Sequence, residues 1–198
     1  MNILVLKKKN VTDFAKERNE MLEKSNSVWN LFLDSDEKIE GIIPSETRSQ
    51  AWKSINRLLR HDNNHTSAYI FRRKNYFLRQ YVGDDYLIRL IRKGTGRWVR
   101  KVHEYWKVEK GHIGSVPDII IHNTAPNLKN YINKMNYYST LHARANYEED
   151  KKSSLFKIII MPIVKFIVTF FKSKNVVFSI MQSFHSYLSW TKLYLRQY

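Results

Sequence analysis

The rhythm of apolar and polar positions is most informative at Val28 to Leu33, an almost unbroken apolar run that ends in Asp34, Asp36 and Glu37. A short aliphatic and aromatic run without alternation predicts a strand covered on both faces, as in a parallel sheet flanked by helices. A period of two predicts that Asp34 and Asp36 point to one side. Ligands of open α/β sheets bind beyond the carboxyl ends of the strands. The strand is therefore expected to be central, with both aspartates opening into the largest polar cleft. Two hard oxygen donors there suit a divalent cation that also holds phosphate oxygens. A solvated turn is the plainer alternative, and Asp-x-Asp alone does not choose between them.

Elsewhere the pattern predicts a short strand at Ile3 to Leu6, then a helix capped by Asp13 and running to about Lys24. Phe14, Met21 and Leu22 form its apolar stripe. Arg18, four residues after Phe14, lies on the same stripe. Its guanidinium must either find anions inside or snorkel past the core edge, and snorkelling is the simpler expectation. A helix is expected from Pro44 to Arg60. Strands follow at Ala68 to Arg72, Tyr86 to Ile91, Arg97 to His103 and Ile119 to His122. Gly94-Thr95-Gly96 reads as a tight hairpin turn rather than a phosphate loop, and one long helix as spanning Pro126 to Glu149.

The last 48 residues read as a separate helical unit. Phe156, Ile159, Ile160, Ile163, Phe166, Ile167 and Phe170 give a wide apolar face bordered by Lys157, Lys165 and Lys172. A basic amphipathic helix of this kind predicts contact with an anionic membrane surface. The alternative is a helix packed on the domain with a solvated basic rim. Lys157, Pro162 and Lys165 interrupt the run, so an interfacial role is expected rather than a span. The implied organisation is an α/β domain over residues 1–124 and a helical, membrane-associating region over 125–198.

Composition sharpens this picture. The chain has 198 residues, 43% of them hydrophobic and 14% aromatic, enough for a sizeable core. With no cysteine, disulfides, thiolate metal sites and cysteine nucleophiles are excluded, and a reducing compartment is the simpler expectation. The net charge is +16 and unevenly placed. Residues 72–101 hold ten Lys/Arg against Asp84 and Asp85, and residues 151–198 hold eight and no acid. Such a surface wants a polyanion. The opening Met1 to Leu6 is too short an apolar run for a signal peptide, and its lysines follow rather than precede it.

Two further residues carry candidate chemistry. Glu104, in Val102-His103-Glu104, has the character of a general base for a hydroxyl nucleophile. His122, ending Ile119-Ile120-Ile121, suits a metal shell built mainly of oxygen. Both are expected to approach the cleft at Asp36.

Taken in order, these stretches resemble family-two glycosyltransferases of GT-A fold, in the subgroup similar to lipopolysaccharide-core glucosyltransferases. The resemblance rests on Thr12-Asp13-Phe14-Ala15-x-x-Arg18-Asn19 and Trp29-x-Leu31-Phe32-Leu33-Asp34-Ser35-Asp36-Glu37. It continues through Arg89-Leu90-x-Arg92-x-Gly94-x-Gly96-Arg97-Trp98-Val99, Val102-His103-Glu104, Ile121-His122 and Asn136-Tyr137-Tyr138-Ser139-x-Leu141-x-Ala143.

It implies a mixed GT-A-like (Rossmann-type) sheet and a nucleotide-sugar donor, with a UDP-sugar the expectation. It also implies a divalent metal, Mn2+ or Mg2+, and an acceptor on a cell-surface glycan or lipid carrier. Asp36 would ligate the metal directly, and Asp34 would face the metal or the ribose. Asp13, Arg18 and Asn19 would lie near the nucleotide, Glu104 would be the base, and His122 would add a metal or diphosphate contact. Transfer would invert the anomeric centre at the cytoplasmic face of the cell membrane, with the protein held peripherally.

Such enzymes begin with a strand, a helix and a second strand that contact the nucleobase. Only a short stretch precedes Asp13 here, so a truncated sheet with half a donor site, weak binding and poor or absent transfer are expected. The competing expectations are a catalytically dead partner of a complete transferase, and a non-catalytic basic protein docking on membrane or nucleic acid. Tyr69, Phe71, Tyr76, Phe77, Tyr81 and Tyr86 interleave with Arg72, Arg73, Lys74 and Arg79 as a nucleic-acid stacking platform would. Strand core is the simpler account of those aromatics, and no nucleic-acid partner is expected.

Overall fold

A computed structural model describes residues 1–7, 11–40, 50–62 and 65–198, the side chains of 50–52 excepted. The described chain falls into two compact units, residues 1–75 with 84–122 and residues 76–83 with 123–198.

The first unit is built on a mixed sheet. Its strands are β1 (Asn2–Leu6), β2 (Trp29–Asp34), β3 (Glu37–Ile39), β4 (Thr66–Phe77) and β5 (Gln80–Arg92). Beyond them β6 (Gly96–Val99) and β7 (Tyr105–Val108) form a separate two-stranded ribbon, and β8 (His112–Asn123) completes the large sheet. The order across that sheet is β1-β2-β5-β4-β8-β3. β2 is parallel to β1 and antiparallel to β5, and β3 is antiparallel to β8.

β2 is interior, as its apolar run predicts, and period two sorts its side chains between two cores. Trp29, Leu31 and Leu33 join Leu90, Ile120 and Ile55 of helix α2 (Gln50–Arg60) on one face. Phe32 joins Ile91, Ala15 and Leu22 of helix α1 (Phe14–Lys24), together with Trp98 and Trp106 of the ribbon, on the other. Each fully buried side chain of this size contributes about 1.5–3 kcal/mol, which is why a continuous apolar run fits this place.

The link from β2 to β3 shows the shape of the sheet. Only Ser35 and Asp36 separate them, yet β5, β4 and β8 lie between them in the hydrogen-bonding order. A flat sheet would put them about 19 Å apart at roughly 4.8 Å per strand, while three residues reach only about 10 Å. The sheet must curl, carrying the start of β3 round to the end of β2.

Asp13 caps α1, accepting Lys16 N–H at 2.9 Å, as expected. Other expectations are corrected. The strand placed at Arg97 to His103 stops at Val99, because Arg100 (φ 76°) and His103 (φ 57°) take left-handed backbone that ends extended pairing. Gly94-Thr95-Gly96 is not a hairpin turn between paired neighbours, since β5 pairs in the large sheet and β6 with β7. Gly96 is needed for closeness instead: a Cβ there would sit 2.3 Å from the Lys107 carbonyl oxygen. The helix expected from Pro44 is seen from Gln50 onward, and Pro44 lies outside the described residues.

The second unit holds helices α3 (Leu128–Glu148), α4 (Leu155–Ser173) and α5 (Val176–Arg196), with the tip of the β4–β5 hairpin. Phe77 packs its ring on Tyr131 and Phe178, at 4.8 and 5.3 Å between centroids. Ser154 and Asn175 cap α4 and α5. Lys192 lies within hydrogen-bond distance of the Asn136 backbone and side-chain oxygens, Ser139 Oγ and Thr140 Oγ1, fastening α5 to α3. Among the described residues no helix is long and apolar enough to cross a membrane.

Candidate functional site

The end of β2, the curl into β3 and the segment before β7 bring together a chain of charged groups in the first unit. It starts at Arg18, 1% exposed on the inner stripe of α1. Its Nε donates to Glu104 Oε1 at 2.9 Å and its Nη2 to Asp34 Oδ1 at 2.7 Å. The aromatic faces of Trp98 and Phe32 lie 5.1 and 5.7 Å from the guanidinium carbon. Arg18 therefore does not snorkel: it is buried against two carboxylates. Asn30, Phe32 and Asp34 alternate onto the α1 side of β2, which is why Asp34 meets Arg18.

Arg89 of β5 takes the other oxygen of Asp34, donating from Nη2 at 2.6 Å. The same nitrogen reaches Glu37 Oε1 at 2.7 Å. Glu37, delivered by the curl, also accepts from Arg73 Nη1 at 2.6 Å, and its second oxygen accepts the Asp34 backbone N–H at 3.1 Å. Arg73 then grips Asp85 in a two-pronged pair at 2.9 and 2.7 Å. Asn75 donates to Asp85, which turns its amide oxygen to His122 Nδ1 at 2.7 Å. That acceptor requires a proton on Nδ1, and Nε2 faces Asp36 Oδ2 at 3.4 Å.

Glu104 and Asp36 are thus the two ends of one sequence of contacts through Arg18, Asp34, Arg89, Glu37, Arg73, Asp85, Asn75 and His122. Five carboxylates meet three guanidiniums along it, an excess of two negative charges before the imidazole is counted.

The electrostatics follow from burial and pairing. Burial disfavours the Asp34 carboxylate, but Arg89 and Arg18 outweigh it and hold the group below the usual carboxylate range. Burial also works against the Arg18 charge, and Asp34 with Glu104 raise its pKa above the ordinary value. Asp85 is held low in the same way, Arg73 overcoming its burial. Arg18 Nη1 and Arg89 Nε are buried with no hydrogen-bond partner, so each guanidinium keeps a donor in hand.

β2 ends at Asp34 and a turn begins there, so strand alternation does not extend to Asp36. Asp34 spends both oxygens on arginines, and Asp36 faces His122. Glu104 reaches Asp34 through one guanidinium. Asn19 pins the ribbon to α1: its amide donates to the Trp98 carbonyl and accepts the Trp98 N–H, both at 2.9 Å. Asp13 is engaged as the helix cap.

Asp13 and Asn19 line a cleft of about 570 Å³ with Lys16, Arg97, Arg100 and Lys101. Asp34, Asp36, Glu104 and His122 are not among the residues lining this cleft.

Among the described residues no three His, Asp or Glu side chains converge as a ready-made metal cage. Arg73, Arg89, Glu37, Asp85 and Asn75 were not singled out from sequence as site residues. An arginine inside an apolar strand run, Arg89 before Leu90 and Ile91, was the signal available. Basic residues of the supposed stacking platform are paired internally, Arg72 with Asp84, Arg73 with Asp85 and Glu37, and Lys74 with Glu40. Tyr69, Phe71 and Phe77 are buried.

No protein-family model matches the chain. Over 171 residues it is 25% identical to the lipopolysaccharide core biosynthesis glycosyltransferase LpsC of Rhizobium meliloti (strain 1021). The match covers 81% of this chain and 58% of that protein, so the chain spans little more than half of the relative's length. A distant homologue is therefore a glycosyltransferase.

Proposed function

We propose that the chain carries part of the catalytic site of a glycosyltransferase that moves a sugar from a nucleotide-sugar donor, a UDP-sugar in the first instance, to a glycan or lipid-linked acceptor. The observation that carries the reading is the buried guanidinium of Arg18, which joins Asp34 and Glu104. It unites three stretches, distant in sequence, that separately resemble family-two transferases of GT-A fold. The likeness to LpsC supports the same chemistry at a coarser level.

In this reading Glu104 is the general base. Arg18 engages Oε1, so Oε2 takes the acceptor's proton as the acceptor oxygen bonds to the anomeric carbon. The diphosphate departs with the glycosidic electron pair, and direct displacement inverts the centre. Arg18 and Arg89 keep Asp34 ionised, and Arg18 Nη1 and Arg89 Nε are left to donate to an entering anion.

The donor set fits a divalent cation such as Mn2+ or Mg2+. Asp36 Oδ2 and His122 Nε2 would hold it, the Asn75 hydrogen bond to Nδ1 orients the ring, and the surroundings carry excess negative charge. Such ions are commonly held by one or two carboxylates with substrate phosphates completing the shell. When bound, the ion neutralises charge developing on the leaving diphosphate.

Sugar transfer and donor hydrolysis should be assayed with Mn2+ or Mg2+ on this chain and on one extended by the strand–helix–strand unit that the resemblance implies. Placement of donor and acceptor supplies roughly 7–11 kcal/mol of barrier reduction, so the extended chain should be far faster. Glu104→Gln should abolish its transfer, and Asp36→Asn should raise the metal concentration it needs. Transfer indifferent to both substitutions, or none by either chain with any nucleotide-sugar, would overturn the proposal.

A further inference from the structure

The α4–α5 hairpin of the second unit leaves a broad apolar surface without a partner. α4 turns Pro162 and Thr169 inward. On the rest of its circumference Phe156, Ile159, Ile163, Ile167 and Phe171 are 46–70% exposed. On α5, Ile180 and Phe184 are 53% and 44% exposed. Scattered apolar residues on a surface need no explanation, but a contiguous face along a helix five turns long does.

Charge decides what covers it. Lys165 and Lys172 of α4, Lys152 just before it and Lys174 at its C-cap are exposed, and no acidic residue occurs anywhere from 151 to 198. A second copy of this chain would meet the face through the same patch on both partners. Its lysines would then confront lysines with no carboxylate to answer them, an arrangement that works against association. An apolar, basic, acid-free face on a helix that cannot span a bilayer matches a surface that is apolar beneath and anionic above.

We propose that α4 and α5 dock the protein on an anionic lipid surface, with the apolar face entering the acyl boundary and the lysines among the headgroups. This rests on the second unit alone and stands whether or not the chain transfers sugar. Each lysine near such a surface contributes about fivefold to partitioning.

The test is co-sedimentation of the full chain with vesicles of phosphatidylcholine, with and without phosphatidylglycerol, over a salt series. Binding should require phosphatidylglycerol and weaken steeply with salt. Lys165→Ala with Lys172→Ala should cost about 25-fold. Ile163→Asn with Ile167→Asn, both at exposed positions, should abolish binding while helicity by circular dichroism is unchanged. Equal binding to neutral vesicles, or none to anionic ones, overturns the proposal. Concentration-dependent self-association that the isoleucine pair abolishes, with vesicle binding untouched, would assign the face to a second copy instead.

Discussion

Replacing Arg18 by Met isolates the interaction on which the first unit turns. The substitution keeps a long side chain between Phe32 and Trp98 but removes the cation bound to Asp34 at 2.7 Å and Glu104 at 2.9 Å. Removing one partner of a buried ion pair costs roughly 3–5 kcal/mol, because the remaining charge is stranded. Two features place Arg18→Met at the lower end. Asp34 keeps Arg89, and the Asp34 side chain is 33% exposed, enough to regain water. Glu104, 14% exposed, carries most of the penalty.

A loss of about 3 kcal/mol, at about 2 kcal/mol per molar urea, lowers the unfolding midpoint by about 1.5 M. Urea titration should show that shift with an unchanged slope. Adding Glu104→Gln should recover part of the loss, with a coupling of about 0.5–3 kcal/mol. A midpoint within about 0.25 M of the parent, the scale of an ordinary surface substitution, or strict additivity in the double variant, would refute the burial argument.

Acid sensitivity follows from the depressed pKa values of Asp34 and Asp85, each held low by arginines that outweigh its burial. Their stabilisation is complete above the unfolded carboxylate value of about 3.9 and disappears as pH falls through the lower folded values. Urea midpoints should be flat between neutrality and about pH 5 and then drop, less steeply in Arg18→Met; an identical acid limb in that variant would contradict the assignment. Gly96→Ala drives a Cβ to 2.3 Å from Lys107 O and 2.9 Å from Trp106, and overpacking of this kind costs about 2–3 kcal/mol, or about 5–10 °C in Tm. Gly94→Ala meets nothing within 4 Å and is strained only by its φ of +82°, so its effect should be smaller; the reverse order in thermal melts would show that contact is not what excludes a side chain at Gly96.

What could be read from sequence was local or periodic. The β2 run was legible because a strand covered on both faces must be apolar at consecutive positions, and Leu31 and Phe32 do enter opposite cores. The Asp13 cap, the long α3 helix and the amphipathic α4 were legible because a cap or a helical stripe is decided within a few residues. The resemblance gathered Arg18, Asp34 and Glu104 into one region before any contact between them was seen.

Tertiary structure decided the rest. The three-residue β3 is too short for a periodic signal and exists because β8 offers it an edge. The curl that brings Glu37 to Arg89 and Arg73 depends on the order β2-β5-β4-β8-β3, which no stretch of sequence states. Whether Arg18 snorkelled or was buried turned on two carboxylates 16 and 86 residues away. Hydrophobic periodicity reports which way a side chain faces relative to its own element. Charge partners are set by register and curvature between elements, and those are fixed only when the whole sheet closes on its core.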